Sequence, residues 1–524
     1  MIFRSPYPDV DIPDSPLTPF ALRHADRLGD RPALIDAASD QCLSYAALSD
    51  AVRRVAAGLA QRGLQKGDVL ANFAPNCTGY VVAFLAASSL GAITTPVNHL
   101  VTAEELARQL ADSDSRFLLT TPDLLSVARM ATAHHPVQET FVLGDGDASP
   151  FADLYQSEPG VADQAIDPAH DVIALPYSSG TTGLPKGVML THRNIVGNVC
   201  QINVPQQMQE AEVVFCLPPF SHQYGLFLIA WTLSVGATLV FAPRFELATF
   251  LGAVERHRVT RAYVAPPVVL ALANDPSVDR TDLSSLRVMT SGAAPLSADL
   301  MRRCGERLGC TIIQASGLTE TSPATHSQSP SDPRLLLGSI GPCLPNTECK
   351  VVDVDTGAEL GPDHLGEIWL RGPQVMKGYL NRPEATAAMI DSDGWLHTGD
   401  LGCADAAGNF FIVDRLKEMI KYKGYQIAPA ELEAVLLSHP AVADVAVIPS
   451  PDEDAGEAPK AFVVRSSETT ADELMAFVAA RVAPYKKVRR VEFIDQIPKS
   501  ASGKILRRVL VERERAAAAV PVLA

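Results

Sequence analysis

Short, continuously apolar runs of residues recur between positions 171 and 320. They are rich in β-branched side chains and do not alternate with polar positions, and they fall at 212–218, 236–242, 261–265, 286–290 and 311–314. Helical patterns separate them. This arrangement is typical of a parallel sheet that helices cover on both faces. The sequence therefore predicts an open α/β layer, and ligands bind such layers at the carboxyl ends of the strands.

The rest of the chain predicts three further units. Residues 30–145 carry a similar α/β pattern and are expected to form a second layer, in which 80–97 is a buried helix leading into a strand. After Asn346 the pattern changes to short strands and turns, such as 366–371 and 408–413. Beyond Lys417, helices and strands alternate on a smaller scale, with a helix that begins near 428 and strands at 442–448 and 460–464.

Composition limits the classes of function. A chain of 524 residues with 47% hydrophobic and 20% charged residues is expected to be a globular protein of several units, with no membrane span. Its net charge of −16 argues against nucleic acid as a partner. The nine cysteines form no C-x-x-C motif and no paired spacing, which argues against zinc and disulfides and favours a reducing cytoplasm.

One polar loop carries the strongest chemical signal. The segment Tyr177-Ser-Ser-Gly-Thr-Thr-Gly-Leu-Pro-Lys-Gly-Val-Met-Leu-Thr-His192 follows an apolar run at 171–177, predicted as a buried strand, and ends at a helix start at Thr191. Glycines, hydroxyls and Lys186 supply the donors and charge that bind phosphates. The spacing is not that of a Walker P-loop. The alternative interpretation is a flexible linker, which seldom combines these features.

The loop resembles the signature segment of the adenylate-forming superfamily, which includes acyl-CoA synthetases, luciferases and peptide-synthetase adenylation domains. Seven more segments match in the expected order: Pro219-Phe-Ser-His-Gln-Tyr-Gly225, Ser291-Gly-Ala-Ala-Pro295, Gln314-Ala-Ser-Gly-Leu-Thr-Glu320, Trp395-Leu-His-Thr-Gly-Asp400, Asp414-Arg-Leu-Lys-Glu418, Lys421-Tyr-Lys-Gly-Tyr-Gln426 and Pro498-Lys-Ser-Ala-Ser-Gly-Lys504. Within the superfamily, the likeness is greatest to 4-coumarate–CoA ligases.

The resemblance implies a fold and a division into domains. The expected α/β fold has a large N-terminal domain of stacked, mostly parallel layers with a small β-barrel-like subdomain, followed by a small, mobile α+β lid. The implied boundaries are 1–413 for the N-terminal domain, 414–417 for a hinge that includes Lys417, and 418–524 for the lid.

The resemblance also implies how ATP and Mg²⁺ are held. Glu320 would hold the metal, Asp400 and Arg415 would bind the ribose, and Lys504 would bridge the attacking carboxylate and the α-phosphate. The implied catalytic residues are Lys504, His222, Thr319 and Glu320. The implied nucleotide-binding residues are Ser178, Ser179, Gly180, Thr181, Thr182, Lys186, Gln314, Ser316, Gly317, Thr319, Asp400, Arg415, Lys421, Gln426 and Lys504.

A planar aromatic acid and CoA are the implied cosubstrates. In the ligases that this chain resembles, the acyl pocket is lined at positions that carry small or aromatic side chains here, and Gly424 would border the thiol tunnel. The implied acid-binding residues are His222, Tyr224, Ala293, Gly317, Pro323 and Ala324. A monomer or a homodimer in the cytoplasm is expected.

One position departs from the family pattern. The motif usually reads Gln-x-Tyr-Gly-x-Thr-Glu, with the tyrosine ring against adenine, and here Ser316 takes the tyrosine's place. The leading hypothesis is ATP-dependent formation of an aromatic acyl-adenylate and then of a CoA thioester. A second is transfer to another acceptor, or activation of nitrite to diazotise an amino-aromatic acid. A third is a nucleotide-binding regulator without catalysis.

Overall fold

The structure is a computed structural model, and it describes residues 1–160, 164–178, 185–292, 294, 296–423, 425–452, 455–500 and 503–519. Two large, mostly parallel sheets and two smaller, mostly antiparallel sheets account for the strands of these residues. The principal core lies between the two large sheets, and a second core lies on the other face of one of them.

The eight-stranded sheet has a parallel centre with an antiparallel strand at each edge. Its strands, in spatial order, are Ala324–Ser327, Thr311–Gly317, Val288–Ser291, Arg261–Val264, Val213–Cys216, Thr238–Phe241, Pro32–Asp36 and Cys42–Ser44.

The nine-stranded sheet has five parallel pairings and ends in antiparallel strands on either side of residues 179–185, which are predicted to bind phosphate and are called the phosphate loop below. In spatial order its strands are Tyr177–Ser178, Lys186–Thr191, Val172–Ala174, Ile93–Val97, Val69–Phe73, Ser115–Thr120, Glu139–Val142 and Ser149–Pro150, with Gly378–Tyr379 paired to Lys186–Thr191 off this path.

The two smaller sheets are formed by strands after residue 346, together with one strand from the N-terminus. One is a five-stranded antiparallel sheet of Ile2–Arg4, Glu348–Val352, Gly366–Arg371, Leu396–Ala404 and Phe410–Arg415. The other consists of Tyr425–Ile427, Ile420–Tyr422, Gly456–Arg465 and Val442–Asp452, with Arg490–Phe493 parallel to Gly456–Arg465.

Helices cover the sheets. Those with one exposed face are amphipathic, and those buried on all sides are apolar throughout. Thr78–Ser89 and Gln223–Val235 are buried along nearly their whole length, as their apolar sequences require. The other helices are Leu17–Ala21, Ala25–Leu28, Tyr45–Gln61, Ala103–Asp112, Leu125–His134, His192–Gln206, Leu247–His257, Pro266–Asn274, Ala298–Leu308, Pro383–Met389, Pro429–Leu437, Ala471–Ala479 and Arg507–Ala519.

The predicted fold class is confirmed, and the prediction of the layers is wrong in part. The expected parallel strands between 212 and 317 are present, but Pro32–Asp36 and Cys42–Ser44 join the eight-stranded sheet instead of the second layer. Conversely, Val172–Ala174 joins the nine-stranded sheet. The apolar run at 171–177 is not one strand, since Val172–Ala174 ends before Pro176, which has no N–H to donate.

The fold brings the sequence motifs to one edge. The strands Val213–Cys216, Val288–Ser291 and Thr311–Gly317 end where the Pro219–Gly225, Ser291–Pro295 and Gln314–Glu320 motifs begin or continue. Parallel strands place their carboxyl ends together, so these motifs meet at one crevice. Among the described residues, no helix is long and apolar enough to cross a membrane.

Candidate active site

The described ends of the phosphate loop are held by a short hairpin. Ser178 and Lys186 are register partners in the antiparallel strands on either side of the loop. The Lys186 ammonium lies over the ring of Tyr379, 5.0 Å from its centroid, which is a cation–π contact. Ser179, Gly180, Thr181 and Thr182, which are predicted to bind phosphate, lie outside the described residues.

Glu320 is a buried carboxylate anchored by two hydroxyls. It lies in the short turn Thr319–Thr321 and is 5% exposed, while Thr319 is partly exposed. Its Oε1 accepts hydrogen bonds from Ser178 Oγ at 2.7 Å and from the Tyr379 hydroxyl at 2.8 Å. Burial, and next the Glu320 charge, raise the pKa of Tyr379, so this hydroxyl stays a donor.

The Glu320 carboxylate suits a magnesium site in which substrate phosphates and water supply most of the ligands. The described residues contain no group of three or more His, Cys, Asp or Glu side chains that could hold a metal. Mg²⁺ is commonly bound by one or two carboxylates together with substrate phosphates and water. Both hydrogen bonds that Glu320 accepts from described side chains go to Oε1, so Oε2 is the oxygen suited to the cation.

The strand Thr311–Gly317 positions the next group of predicted residues. Gln314 Oε1 accepts from the backbone N–H of Leu296 at 2.8 Å, which ties the strand to the neighbouring loop. Ser316 is partly exposed. A Cβ at Gly317 would stand 1.8 Å from the Pro323 carbonyl oxygen, so only glycine fits there.

The predicted ribose-binding pair is formed. Asp400 and Arg415 are register partners on adjacent antiparallel strands, and Arg415 Nε lies 2.6 Å from Asp400 Oδ1. Asp400 is 6% exposed. Burial raises the pKa of Asp400, and the charges of Arg415 and Lys504 oppose that shift. The structure thus places Lys504 within electrostatic range of this carboxylate.

Lys504 sits on a tight turn near the C-terminus. The backbone N–H of Gly503 donates to the Ser500 carbonyl, and the positive φ of 82° at Gly503 lets the chain reverse there. A Cβ at Gly503 would lie 3.1 Å from that of Ala265, in the N-terminal part of the chain. Burial lowers the pKa of the Lys504 ammonium, and Arg415 lowers it further.

His222 is held as a neutral ring. It caps the helix Gln223–Val235, and its Nδ1 accepts from the backbone N–H of Tyr224 at 3.1 Å. Burial, and next the charge of Lys504, lower the pKa of His222 to about 4. Because Nδ1 accepts, the neutral ring carries its proton on Nε2, which can donate to an acid.

Small residues surround the predicted acyl pocket. The Tyr224 ring lies against Gly292, where an added Cβ would stand 3.2 Å from Tyr224 Cε1. Pro323 and Ala324 are buried, and Asn198 fixes this segment by hydrogen bonds to both backbone groups of Ala324. Ala293 lies outside the described residues.

Two residues predicted to bind the nucleotide, Lys421 and Gln426, are exposed, unlike the buried Glu320 and Asp400. Lys421 and Gln426 are exposed register partners on the hairpin of the C-terminal sheet. Gly424, between them, lies outside the described residues, and Lys417 is exposed on the preceding turn.

Three side chains of the site carried no sequence signal. Tyr379, which contacts both Lys186 and Glu320, stands in a short strand without a distinctive motif. Asp112 accepts hydrogen bonds from the hydroxyl of Tyr177, at the base of the phosphate loop, and from the guanidinium of Arg382. Contacts between such distant segments cannot be seen as a pattern along the chain.

Comparison with known proteins agrees with this geometry. The family model described as AMP-binding enzyme matches residues 22–380, and the model of the AMP-binding enzyme C-terminal domain matches residues 431–504. The first match alone covers more than half of the chain. The first match ends at residue 380, next to Tyr379, and the second ends at Lys504.

Relatives match over nearly the whole length. The chain is 44% identical to 4-coumarate–CoA ligase 2 of Oryza sativa subsp. japonica, over 97% of this chain and 94% of the relative. It is 43% identical to 4-coumarate–CoA ligase 1 of Solanum tuberosum, over 99% and 97%. The solved anthranilate CoA ligase AuaEII, in complex with anthranoyl-AMP, matches with a TM-score of 0.91 at 27% identity, over 98% and 99%. The predicted family and enzyme class are confirmed, and the chain belongs to the AMP-binding enzyme family as a 4-coumarate–CoA ligase-like member.

Proposed function

We propose that this enzyme activates an aromatic, cinnamate-like carboxylic acid with ATP and Mg²⁺, and then transfers the acyl group to CoA. The observation that carries the proposal is the convergence of Lys504 with His222 and Asp400, which come from three distant parts of the chain. The charge of one lysine thereby acts on both a predicted acid-binding residue and a predicted ribose-binding residue. The names of the relatives, which are 4-coumarate–CoA ligases, support the class of acid.

The first half-reaction needs positive charge more than covalent chemistry. The acid's carboxylate attacks the α-phosphorus of ATP and pyrophosphate leaves, so two anions must be brought together. Lys504 supplies charge between them, and the neutral His222 donates Nε2–H to the carboxylate without adding a second full charge. Asp400 and Arg415 hold the ribose, and Lys186 with the hydroxyls of the phosphate loop binds the β- and γ-phosphates.

A bound Mg²⁺ would neutralise phosphate charge, and Glu320 would be its protein ligand. Ser178 and Tyr379 fix this carboxylate from two sides, so it needs no reorganisation when nucleotide arrives. Thr319, on the same turn, would donate to a phosphate oxygen.

The second half-reaction requires another arrangement of the same residues. We place the N-terminal domain at 1–413, the hinge at 414–417 and the lid at 418–524. Gly503, next to Lys504, lies against Ala265, and the hairpin that carries Lys421 and Gln426 is exposed. Rotation of the lid about Lys417 would exchange the two, and the hairpin with Gly424 would then border the thiol.

A second candidate function rests on Ser316. A hydroxyl in place of the family's tyrosine removes an aromatic contact with adenine, which is worth about 1 kcal/mol. The space it leaves favours an enzyme that passes the adenylate's acyl group to another acceptor, or one that uses ATP to activate nitrite for the diazotisation of an amino-aromatic acid.

A single assay separates the two functions. Purified enzyme with ATP and Mg²⁺ is given a panel of aromatic acids, with CoA, nitrite or neither, and AMP, pyrophosphate and the organic products are measured. We expect pyrophosphate from cinnamate-like acids and a thioester only with CoA. Lys504→Ala should abolish pyrophosphate release, while Lys66→Ala, which removes a surface lysine paired with Asp171, should not.

Two results would contradict the proposal. If Lys504→Ala released pyrophosphate at the rate of the unmodified enzyme, the assignment of the catalytic cation would be wrong. If CoA had no effect and an amino-aromatic acid turned over only with nitrite, the CoA ligase assignment would fail and the alternative based on Ser316 would stand.

A further inference from the structure

A buried guanidinium lies three residues beyond Lys504. Arg507 is the first residue of the last helix, and its side chain is 14% exposed. Its Nη1 donates to Glu418 Oε2 at 2.6 Å, and its Nη2 donates to the two carboxylate oxygens of Glu433 at 2.8 and 2.7 Å. Its Nε donates to the backbone carbonyl of Val447 at 3.2 Å. One side chain thereby joins three segments of the lid that are distant in sequence.

Glu418 connects this cluster to the proposed hinge. It directly follows Lys417, and its backbone N–H donates to the carbonyl of Arg415 at 2.9 Å. Arg415 in turn pairs with Asp400. Through Glu418, a contact of Arg507 therefore reaches the segment that we propose to bind the ribose.

Glu433 connects the cluster to the core of the lid. It lies on the helix Pro429–Leu437 and is 8% exposed, and its Oε1 also accepts from the backbone N–H of Val447 at 2.8 Å. Burial raises the pKa of Glu433, and the charge of Arg507 opposes that shift. A bidentate pair of guanidinium and carboxylate is stronger and more directional than a single neutral hydrogen bond. The pair therefore fixes the start of the last helix against the lid core.

The position of the Lys504 turn depends on its flanks. The Ser500 N–H donates to the Lys504 carbonyl at 2.8 Å, and the Lys504 N–H donates to Ser500 Oγ at 3.1 Å, so these bonds fix the shape of the turn. Before the turn, Lys499 pairs with Asp444, and these side chains are 24% and 27% exposed. Beyond the turn lies the more deeply buried Arg507. Because water weakens exposed ion pairs, we expect the contacts of Arg507 to dominate.

The charge of Arg507 does not explain its place beside Lys504. Burial lowers the pKa of Lys504, and the charge of Arg507 lowers it further, whereas that of Glu418 raises it. A second cation near Lys504 is unfavourable by itself. The pair with Glu418 offsets this repulsion, so what Arg507 contributes is geometry.

We propose that Arg507 is a positioning residue for the first half-reaction, which holds the Lys504 turn in a fixed place between the hinge and the lid core. Its contact with Glu418 sets the first of these distances, and its contact with Glu433 sets the second. The inference rests on the proposed function and adds a residue to it. Lys504 is needed while the carboxylate attacks ATP, and it leaves the site when the lid rotates. Loss of the Arg507 contacts should therefore slow formation of the adenylate and spare its transfer to CoA.

The test measures the two half-reactions separately on the full-length enzyme. Pyrophosphate release is followed with cinnamate, ATP and Mg²⁺, and thioester formation is followed with cinnamoyl-adenylate and CoA. Arg507→Lys keeps the positive charge but cannot form the planar, bidentate contacts. We expect it to slow pyrophosphate release at saturating ATP by about a hundredfold, the effect of a misplacement of about 1 Å. The ATP concentration for half-maximal rate and the rate of thioester formation should stay within a factor of about two.

Glu418→Gln is the second variant, and it carries the test if Arg507→Lys does not fold. Glutamine keeps the shape of the side chain and removes the charge. It should slow pyrophosphate release by about tenfold and spare thioester formation.

Lys460→Met is the matched control. Lys460 pairs with Glu514, which lies on the same helix as Arg507, and the two paired side chains are 12% and 10% exposed. The variant therefore removes a buried ion pair from this helix without touching the contacts of Arg507. It should leave the ratio of the two rates unchanged, even if thermal unfolding shows a loss of stability.

Failure of the inference is distinguishable from failure of the proposed function. If Arg507→Lys and Glu418→Gln slow both half-reactions by the same factor, or slow neither, Arg507 does not position Lys504, although the enzyme remains an acid-activating ligase. A shift of the ratio in Lys460→Met as large as that in Arg507→Lys would have the same meaning. If the unmodified enzyme releases no pyrophosphate with any aromatic acid of the panel, the proposed function itself is wrong, and the inference falls with it.

Discussion

The orientation of individual side chains in this site is fixed by hydrogen bonds and ring contacts from their neighbours. Glu320 illustrates this, because its carboxylate is fixed by the hydroxyls of Ser178 and Tyr379, and Tyr379 in turn supports Lys186 with its ring. One tyrosine thereby contacts both the carboxylate that we propose as the metal ligand and the cation that we propose to bind phosphate. The two contributions are separable, since phenylalanine keeps the ring and removes only the hydroxyl.

We therefore predict that Tyr379→Phe raises the Mg²⁺ concentration for half-maximal activity by about tenfold, since one hydrogen bond to a carboxylate is worth about 1.4 kcal/mol. Glu320→Gln should raise it further, because it removes the anionic ligand. Magnesium titrations of pyrophosphate release measure both. Tyr155→Phe, in the remote turn Phe151–Gln156, serves as the control. An unchanged titration in Glu320→Gln would show that the metal is held elsewhere.

Elements from three parts of the chain fix the base of the phosphate loop. Asp112 ends the helix Ala103–Asp112, and Arg382 immediately precedes the helix Pro383–Met389. The Asp112 carboxylate accepts from Arg382 at 2.8 Å and from the Tyr177 hydroxyl at 2.7 Å. The ring of Tyr177 also lies against Gly187 on the far side of the loop, so both ends of the loop are held by this contact.

Asp112→Asn is expected to raise the KM for ATP by about fivefold and to leave kcat within a factor of two, because it loosens the loop without touching the reacting atoms, at a cost of about 1 kcal/mol. Asp112 is thus a positioning residue. Glu104→Gln, which removes an exposed carboxylate from the same helix, provides the comparison. An equal loss of kcat and no change in KM would exclude this role.

The sequence predicted individual strands better than it predicted which distant segments would pair with or contact one another. The continuous apolar runs between 212 and 314 predicted their strands, and the resemblance of ordered motifs to a known family implied that Glu320, Asp400 and Lys504 belong to one site. The sequence could not show that Pro32–Asp36 pairs with Thr238–Phe241. It also could not assign Tyr379 or Asp112 to the site, because these contacts depend on how distant segments meet and not on local pattern.

At the scale of the whole molecule, buried neutral histidines link stability to pH. Burial lowers the pKa of His192 to about 4 and that of His326 to about 3. The unfolded chain binds a proton at each of these sites near pH 6.5, whereas the folded chain does not. The contribution of these two neutral rings to the free energy of unfolding is therefore fully present above pH 6.5. It is lost as the pH falls from 6.5 toward 4, by at most about 1.4 kcal/mol per group and pH unit.

We predict that the thermal midpoint, at a fixed scan rate, falls between pH 7 and pH 5. His326→Gln should reduce the difference in thermal midpoint between pH 7 and pH 5, even if it also changes the midpoint at pH 7. His364→Gln, which replaces an exposed histidine, should leave the dependence on pH unchanged. An identical pH slope in His326→Gln and the unmodified protein would refute the contribution of His326.

The pairing of Pro32–Asp36 with Thr238–Phe241 has a consequence for synthesis of the chain. Leu34 pairs with Leu239, about 200 residues further on, and at about 5–20 residues per second the ribosome needs roughly 10–40 s to make that partner. Until then the early strand has its hairpin neighbour Cys42–Ser44 on one side and an unpaired edge on the other. The eight-stranded sheet cannot form around this strand until its partner has been made, so this interval is when the nascent chain depends most on protection from aggregation.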